Sequence, residues 1–422
     1  MDYKEALEYI SGVEWFGSKP GTERVSALLA KLGDPQKGLK YVHVAGTNGK
    51  GSCAVMLASV FKAAHYKTGL YTSPYLYRFN ERMQINGKQI DDDVLADIVS
   101  RIRPLADAME DHPTEFELMT AAALLWYSEE KCDVVVLEVG MGGRYDATNV
   151  IDDSECAVIM NIGLDHTKIL GDTVEKIAWE KAGIIKPAGE CVLYQQSEGV
   201  TGVVRAECEK QGAKLHIADF SAIESQFDCL EGQVFTYRGI QYALPLLGAH
   251  QLRNAAAVLE TVEVLRQKGW ELAQEDVEHG LYAVAWPARF EVLSDDPYFV
   301  VDGGHNPQCA HTVADNLVNY FPGERRVLLL GVLADKDYPT LLDILAPLAE
   351  EFVCVQPNSP RALPAAELGE FLKKYGKPVT VCQSIKDGCG AAQDAARSVG
   401  GMVCAVGSLY MVGDIRDFFG LH

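Results

Sequence analysis

Residues 41–64 read YVHVAGTNGKGSCAVMLASVFKAA. The first five form an apolar run without alternation. Gly46-Thr47-Asn48-Gly49-Lys50-Gly51-Ser52 makes a glycine-rich turn, and an apolar helical stretch follows, the order of an α/β unit. Small residues in such a turn let successive backbone N–H groups curl around phosphate oxygens, and the helix N-terminus adds the positive end of its dipole. Lys50 can reach terminal phosphates and Ser52 can hold Mg²⁺. The turn departs from G-x-x-x-x-G-K-[ST], because Val44 stands at the first glycine position and Gly51 separates Lys50 from Ser52. A plain strand-to-helix turn is the competing reading; seven fitting residues between a strand and a helix favour the phosphate loop.

The same order recurs outward from this stretch. CDVVVLEVG (132–140), CAVIMNIG (156–163) and GECVLY (189–194) are near-continuous apolar runs, as expected of strands buried on both faces of a parallel sheet. A helix is expected between Asp172 and Ala182, with Asp172 as N-cap, Glu175 three residues on, Gly183 just past the end and Pro187 beyond. Residues 226–245 read instead as short strands joined by glycine turns, an antiparallel patch. A helix from about Gln251 to Lys268 follows. The Trp286-Pro287 step disfavours helix at Trp286, and strand-helix alternation then restarts with YFVVD, RVLLLG, FVCVQ, PVTVCQ and MVCAVG. The expectation is an α/β chain of two domains meeting near Pro287.

The chain has 422 residues with 48% hydrophobic content, enough for two or three cores, and no internal repeat or low-complexity tract is visible. Its 38 basic and 59 acidic residues leave a net charge of −21, which argues against a nucleic-acid or anionic-membrane surface. Anionic ligands must therefore be captured by local features. Eleven cysteines are scattered without a C-x-x-C pair and read as buried thiols. The opening MDYKEALEYI has acids where a secretory signal has bases, and no run of 18 apolar residues occurs, so a cytoplasmic chain is expected.

Several polar residues stand where strands end. Glu138 closes VVVLE before the loop VGMGGRYDATN, a carboxylate suited to a magnesium nucleotide, although a capped strand end would look the same. Asp165 and His166 follow CAVIMNIG; imidazole is an unusual magnesium ligand, and by itself His166 reads as a hydrogen-bonding loop residue. Val174, Ile177, Ala178 and Lys181 fall at helical spacing, so Lys181 lies in line with an apolar stripe while Lys176 does not. Lys181 either snorkels or is desolvated, and desolvation favours the neutral amine that reacts with carbon dioxide. The second half repeats the device at VVDGGHNP (Asp302, His305, Asn306) and LLLGVLADKD (Asp335, Lys336, Asp337), the carboxyl strand ends where open α/β sheets bind ligands.

Taken together, GTNGKGS, TSPYLYRFNERMQINGKQI, LEVGMGGRYDATN, GLDHTKILGDT, IAWEKAGIIKP, HQLRNAAAV, WPARFE, DGGHNP and GSLYMVGDIR resemble folylpolyglutamate synthase, the folate branch of the Mur ligase family. The resemblance covers nearly the whole chain in the same order. It implies a P-loop ATPase domain over 1–286 with a folate loop at about 72–90, a linker at 287–290 and a smaller Rossmann-like glutamate ligase domain over 291–422. It also implies an ATP-dependent reaction in which a folate carboxylate becomes an acyl phosphate and L-glutamate attacks it. On the matching motifs, Gly46 to Ser52, Asn254, Arg289 and Asp302 are expected at the nucleotide. Ser52, Glu138, His166 and carbamylated Lys181 are expected at two magnesium ions, and Lys50, Lys181 and His305 in catalysis. Ser73, Pro74, Tyr75 and Arg82 are expected at folate and Ser408 at glutamate. The implied partners are small molecules acting on a monomer, without nucleic acid or membrane. Departures are Tyr75 where the family often has histidine, Ala288 where it has glycine and Gly304 where it has alanine. Three alternatives stand beside this reading. One is dihydrofolate synthase activity on dihydropteroate. Another is a cell-wall Mur ligase, disfavoured by the short stretch before the P-loop, and the third is an ATP-gated switch without ligase activity.

Overall fold

A computed structural model describes residues 1–13 and 21–421. The chain divides into two compact α/β units, one comprising 1–225, 235–243 and 251–284 and the other 226–234, 244–250 and 285–422.

The first unit is built on an eight-stranded sheet. In chain order its strands are β1 (Tyr41–Ala45), β2 (Thr68–Tyr71), β3 (Met83–Ile85), β4 (Lys88–Gln89), β5 (Val134–Glu138), β6 (Cys156–Ile159), β7 (Glu190–Leu193) and β8 (Lys214–Ile217). They lie in the order β4-β3-β2-β5-β1-β6-β7-β8. β2, β5, β1, β6, β7 and β8 run parallel, while β3 and β4 add on as antiparallel edge strands. All five residues of β1 and of β5 are buried, which explains why both read as unbroken apolar runs: helices cover both faces of a parallel sheet. The P-loop helix is Lys50–Ala63, and the helix Glu115–Glu129 lies in the core, with Tyr127 donating to the Leu70 carbonyl at 2.6 Å. β1 sits between β5 and β6, with Val44 in register with Glu138 and with Val158. The chain leaves β1 for β2 on one side and later adds β6 on the other, so this is the point where strand order reverses and open sheets bind ligands.

The expected helix after β6 spans Val174–Ala182 and ends at Gly183, but its N-cap is Thr173 rather than Asp172. Thr173 has extended backbone angles and its hydroxyl accepts the Lys176 N–H, the geometry a cap requires, whereas Asp172 pairs with the Lys176 ammonium at 2.7 Å.

The antiparallel patch forms as a separate three-stranded sheet in the order β11-β10-β9: β9 (Ile223–Cys229), β10 (Gly232–Tyr237) and β11 (Ile240–Leu244). Two-residue connections between neighbours can join only antiparallel strands. The helix Ala249–Gln267 follows.

The second unit carries a six-stranded sheet, β12-β13-β17-β14-β15-β16, from β12 (Glu291–Asp295), β13 (Tyr298–Asp302), β14 (Arg326–Leu330), β15 (Glu351–Cys354), β16 (Val379–Val381) and β17 (Met402–Val406). β12 is antiparallel to β13 and the other pairs are parallel. Val300, Leu328, Leu330, Phe352 and Cys404 pack its core with Leu317 and Leu342 from flanking helices. Among the described residues no helix is long and apolar enough to cross a membrane.

Candidate active site

The ends of β1, β5 and β6 bring three loops of the first unit together. The loop after β1 is stitched to the loop after β6: the Asn161 carbonyl accepts the Thr47 N–H at 2.7 Å and the Asn48 N–H at 3.3 Å, and the Thr47 hydroxyl donates to the Gly163 carbonyl at 3.0 Å. Two amides expected to face phosphate are thus engaged by protein. The helix Lys50–Ala63 that follows has no side-chain cap at its N-terminus. Glycine is required twice here. A Cβ on Gly46 would lie 2.7 Å from Met160 Cβ, and Gly49 has φ +84 with its Cβ position 2.7 Å from Asn254 Oδ1.

Lys50 folds back over its own loop, donating to the carbonyls of Gly46 at 3.0 Å and Thr47 at 3.2 Å. Lys181 donates to the same Gly46 carbonyl at 2.9 Å, so two amines from distant elements converge on one oxygen. The apolar stripe places Lys181 inside: it is 4% exposed among Ile177, Ala178 and Ala182, whereas Lys176 faces solvent. The snorkelling reading is thereby removed. Burial, reinforced by the Lys50 charge, brings the Lys181 amine down from 10.5 to about 7, so that a large fraction is neutral near neutrality.

Glu138 ends β5 buried and accepts the Ser73 N–H at 3.1 Å; the Cys53 thiol on the P-loop helix is raised chiefly by burial, with a smaller contribution from the Glu138 charge. Ser52 is buried on the first turn of that helix. A hydroxyl and a carboxylate are hard oxygen donors, the chemistry that suits magnesium carried by nucleotide phosphates. His166 takes a left-handed backbone (φ +51) in the loop after β6, with its N–H on the Asp165 carboxylate at 2.8 Å.

Sequence reasoning missed the supports beneath these groups. His43, fully buried in β1, meets the Thr148 hydroxyl at 2.9 Å, and that hydroxyl donates to Asp146 at 2.6 Å. Because Thr148 spends its hydrogen on Asp146, His43 Nε2 must be the donor. Burial first and the Lys186 charge second keep His43 neutral, well below the usual histidine range. Asp146 also accepts the Met141 N–H at 2.9 Å, tying down the loop after Glu138, and its charge is felt at Lys181. Gln251 Nε2 donates to Ser52 Oγ at 3.3 Å and Asn254 Nδ2 donates to Gln251 Oε1 at 3.0 Å, so Asn254 lies buried against the P-loop.

Ser73 and Pro74, joined by a cis peptide, open a loop folded around Glu81, whose carboxylate accepts the N–H groups of Leu76, Tyr77 and Arg78 at 2.7–2.9 Å. The Arg82 guanidinium lies 5.0 Å from the Tyr75 ring and 5.7 Å from that of Phe79. Tyr75, at 39% exposure, is thus a cover for Arg82.

In the second unit Asp302 ends β13 with one oxygen on the Phe290 N–H (2.9 Å) and the other on the Gly304 N–H (2.7 Å). Burial raises its carboxyl and the Arg289 charge opposes that. His305 Nδ1 donates to the Gly303 carbonyl at 3.1 Å. Ala288, buried, holds φ +64, a conformation that costs a non-glycine residue roughly 1–2 kcal/mol. Asn306 caps the helix Pro307–Tyr320, Asp337 caps Tyr338–Leu345 and Asp335 pairs with Arg361 at 3.0 Å, so these three polar residues have structural work. Ser408 is buried and its hydroxyl accepts the Tyr410 N–H at 3.2 Å.

Two families match successive stretches of the chain. The Mur ligase middle domain family matches residues 44–262, and the Mur ligase glutamate ligase domain family matches 288–409. The chain is 34% identical to the dihydrofolate synthase/folylpolyglutamate synthase of Bacillus subtilis over 98% of each chain. The Mycobacterium tuberculosis folylpolyglutamate synthase, solved with ADP and AMPPCP, superposes with a TM-score of 0.90 at 33% identity over 100% of both chains. The Escherichia coli relative solved with DHPP and ADP gives 0.87 at 28% identity, covering 100% of this chain and 98% of that one.

Proposed function

Because the chain belongs to the Mur ligase family, in the branch of the folylpolyglutamate and dihydrofolate synthases, we propose that it is an ATP-dependent ligase joining L-glutamate to a folate carboxylate. The observation that carries this reading is the convergence at the β1, β5 and β6 ends, where an uncapped helix start, Lys50, Ser52, Glu138 and a desolvated Lys181 meet.

A carboxylate is a poor electrophile, and phosphorylation supplies its leaving group. One folate carboxylate oxygen attacks the γ-phosphorus of ATP, the bond to ADP breaks, and an acyl phosphate forms. The α-amine of glutamate then attacks the acyl carbon, an amide forms, and inorganic phosphate departs with the transferred oxygen. The protein must chiefly align the phosphoryl group and offset its charge. In this reading the amides of the P-loop helix start hold phosphate oxygens, and Lys50 swings from the Gly46 and Thr47 carbonyls to the γ-phosphate. Ser52 and Glu138 would hold a magnesium ion carried by the nucleotide, and His166 with Lys181, once carbamylated, would hold a second; the ions would supply charge neutralisation at the phosphates. Lys181 suits carbamylation because its amine is desolvated and loses its proton far more readily than an exposed lysine. Asn254 and Asp302 are assigned to the nucleotide, Arg289 to its phosphates and His305 to catalysis. Ser73, Pro74, Tyr75 and Arg82 are assigned to folate and Ser408 to glutamate. Residues 1–286 are then the ATPase domain, 287–290 the linker and 291–422 the glutamate ligase domain of a cytoplasmic monomer. Its eleven free thiols suit a reducing compartment.

Activity on dihydropteroate is the second reading, favoured by the likeness to the DHPP-bound structure and to relatives named for both activities. A coupled ADP-release assay with glutamate tests both, comparing dihydropteroate, tetrahydrofolate and its diglutamate. Release that needs glutamate and any one of these acceptors supports the ligase; ATP hydrolysis indifferent to glutamate overturns it.

A further inference from the structure

Among the described residues of the second unit, only two besides glycine hold left-handed backbones, and they stand on either side of Arg289: Ala288 at φ +64 and Phe290 at φ +48. Such a backbone persists only where its surroundings over-determine it. At Phe290 they do so through the N–H on Asp302 and through a ring that is 1% exposed and packs on Tyr320 and Phe321, with centroids 5.8 and 6.4 Å away. Ala288 has only a methyl group, so its backbone must be held directly. Its carbonyl accepts the Gly303 N–H at 2.9 Å, and its own N–H donates to Glu291 Oε2 at 2.9 Å.

Glu291 is itself held. It opens β12, and its other oxygen takes the guanidinium of Arg416 from the last helix, Val412–Phe418. The Arg416 side chain is 10% exposed and that of Glu291 25%, so water reaches the pair poorly. A guanidinium at that depth is costly without a carboxylate, which keeps Glu291 from swinging off the Ala288 amide.

The residue presented between these two anchors is Arg289. Its Nη1 turns back to 3.5 Å from the Ala288 carbonyl and lies 3.1 Å from where a Cβ on Gly303 would stand, so the guanidinium rests on the backbone next to Asp302. Releasing Ala288 to right-handed angles would redirect the chain through Arg289 and carry the guanidinium off this seat.

We infer that Glu291, braced by Arg416, is a positioning residue that locks Ala288 left-handed and thereby aims the Arg289 guanidinium at the phosphoryl group being transferred. This rests on the assignment of Arg289 to phosphate made above. Glu291 acts through the backbone of Ala288, and Arg289 is the group that meets the substrate.

The test is ADP release by the full-length protein with ATP, Mg²⁺, glutamate and either tetrahydrofolate or dihydropteroate, whichever the wild type turns over. An unheld alanine avoids the left-handed region by roughly fivefold to thirtyfold. The Gly303 bond remains in Glu291→Ala, so kcat should fall about fivefold to tenfold, with KM for glutamate and for the folate acceptor within about twofold. In an Arg289→Ala background the same substitution should cost nothing further, because the two residues act as one unit. Adding Ala288→Gly to Glu291→Ala should recover at least about threefold in kcat, since glycine takes φ +64 without strain. Full additivity with Arg289→Ala, no recovery with glycine, or a loss shared equally by kcat and both KM values would mean that Glu291 only stabilises the fold, and each overturns the proposal. Arg289→Ala with wild-type turnover would refute the phosphate assignment and the proposal with it; loss in Arg289→Ala but none in Glu291→Ala refutes the positioning alone. Should Glu291→Ala not fold, Arg416→Met, which frees the other end of Glu291, carries the same comparison.

Discussion

Lys181→Met exchanges a buried amine for a thioether of similar length, and its consequence for stability can be worked from the structure. Burial, with the Lys50 charge behind it, lowers the amine from 10.5 to about 7. At about 1.4 kcal/mol for each tenfold change, carrying this lysine into the folded state costs on the order of 5 kcal/mol at and below neutrality. The folded value lies below the unfolded one, so between about pH 7 and 10.5 the unfolded chain binds the extra proton. Stability therefore rises with pH through that window and is flat, with the full cost present, below it. Methionine removes the titration. It also removes one hydrogen bond to the Gly46 carbonyl, worth roughly 1 kcal/mol. Urea unfolding of the nucleotide-free protein in carbonate-depleted buffer at about pH 6, 8 and 10 should show the variant more stable by several kcal/mol at the lowest pH, with the gap closing towards the highest. The same variant should be inactive. A wild type and variant with parallel stability profiles across the three pH values would refute the claim that this lysine is stored desolvated.

Three further outcomes follow from the site. Lys50→Ala should lower kcat by at least roughly a hundredfold, as for loss of one charge-stabilising donor, and unchanged turnover would mean that the loop is not a phosphate site. Gly49→Ala forces a left-handed alanine whose Cβ meets Asn254 Oδ1, so ADP affinity measured by titration should fall about tenfold or more; wild-type affinity would show that the loop is not held against Asn254. Thr148→Val removes the hydroxyl between His43 and Asp146 and strands a buried imidazole N–H, which should cost roughly 1–3 kcal/mol in urea unfolding, with a change below about 0.5 kcal/mol counting against the relay.

What the sequence made legible was local. β1, β5 and β6 read as buried strands because a central parallel strand has no solvent face to alternate with. Lys181 could be placed in the apolar stripe because helical spacing fixes which side chains share a face. The misses are long-range or geometric. Nothing near Gln251 announces that it reaches Ser52, and nothing in MNIG announces that the Asn161 carbonyl occupies the Thr47 amide. Thr173 and Asp172 are both good cap residues, and only backbone angles decide between them. The resemblance flagged position 288 as a departure, but the left-handed backbone there is set by Asp302 gripping the Phe290 amide and by the Gly303 amide on the Ala288 carbonyl. The −21 charge argued against partner classes yet was silent on the ligand, because the cationic groups at the P-loop are few and local.

Activation of a carboxylate by phosphoryl transfer before glutamate attacks it moves one carboxylate oxygen into phosphate. Folate labelled with ¹⁸O in its side-chain carboxylate, incubated with ATP, Mg²⁺ and glutamate, tests this most directly by mass spectrometry of the products. One labelled oxygen should appear in inorganic phosphate for each amide formed. Label appearing in AMP, or amide formed with unlabelled phosphate, would contradict it.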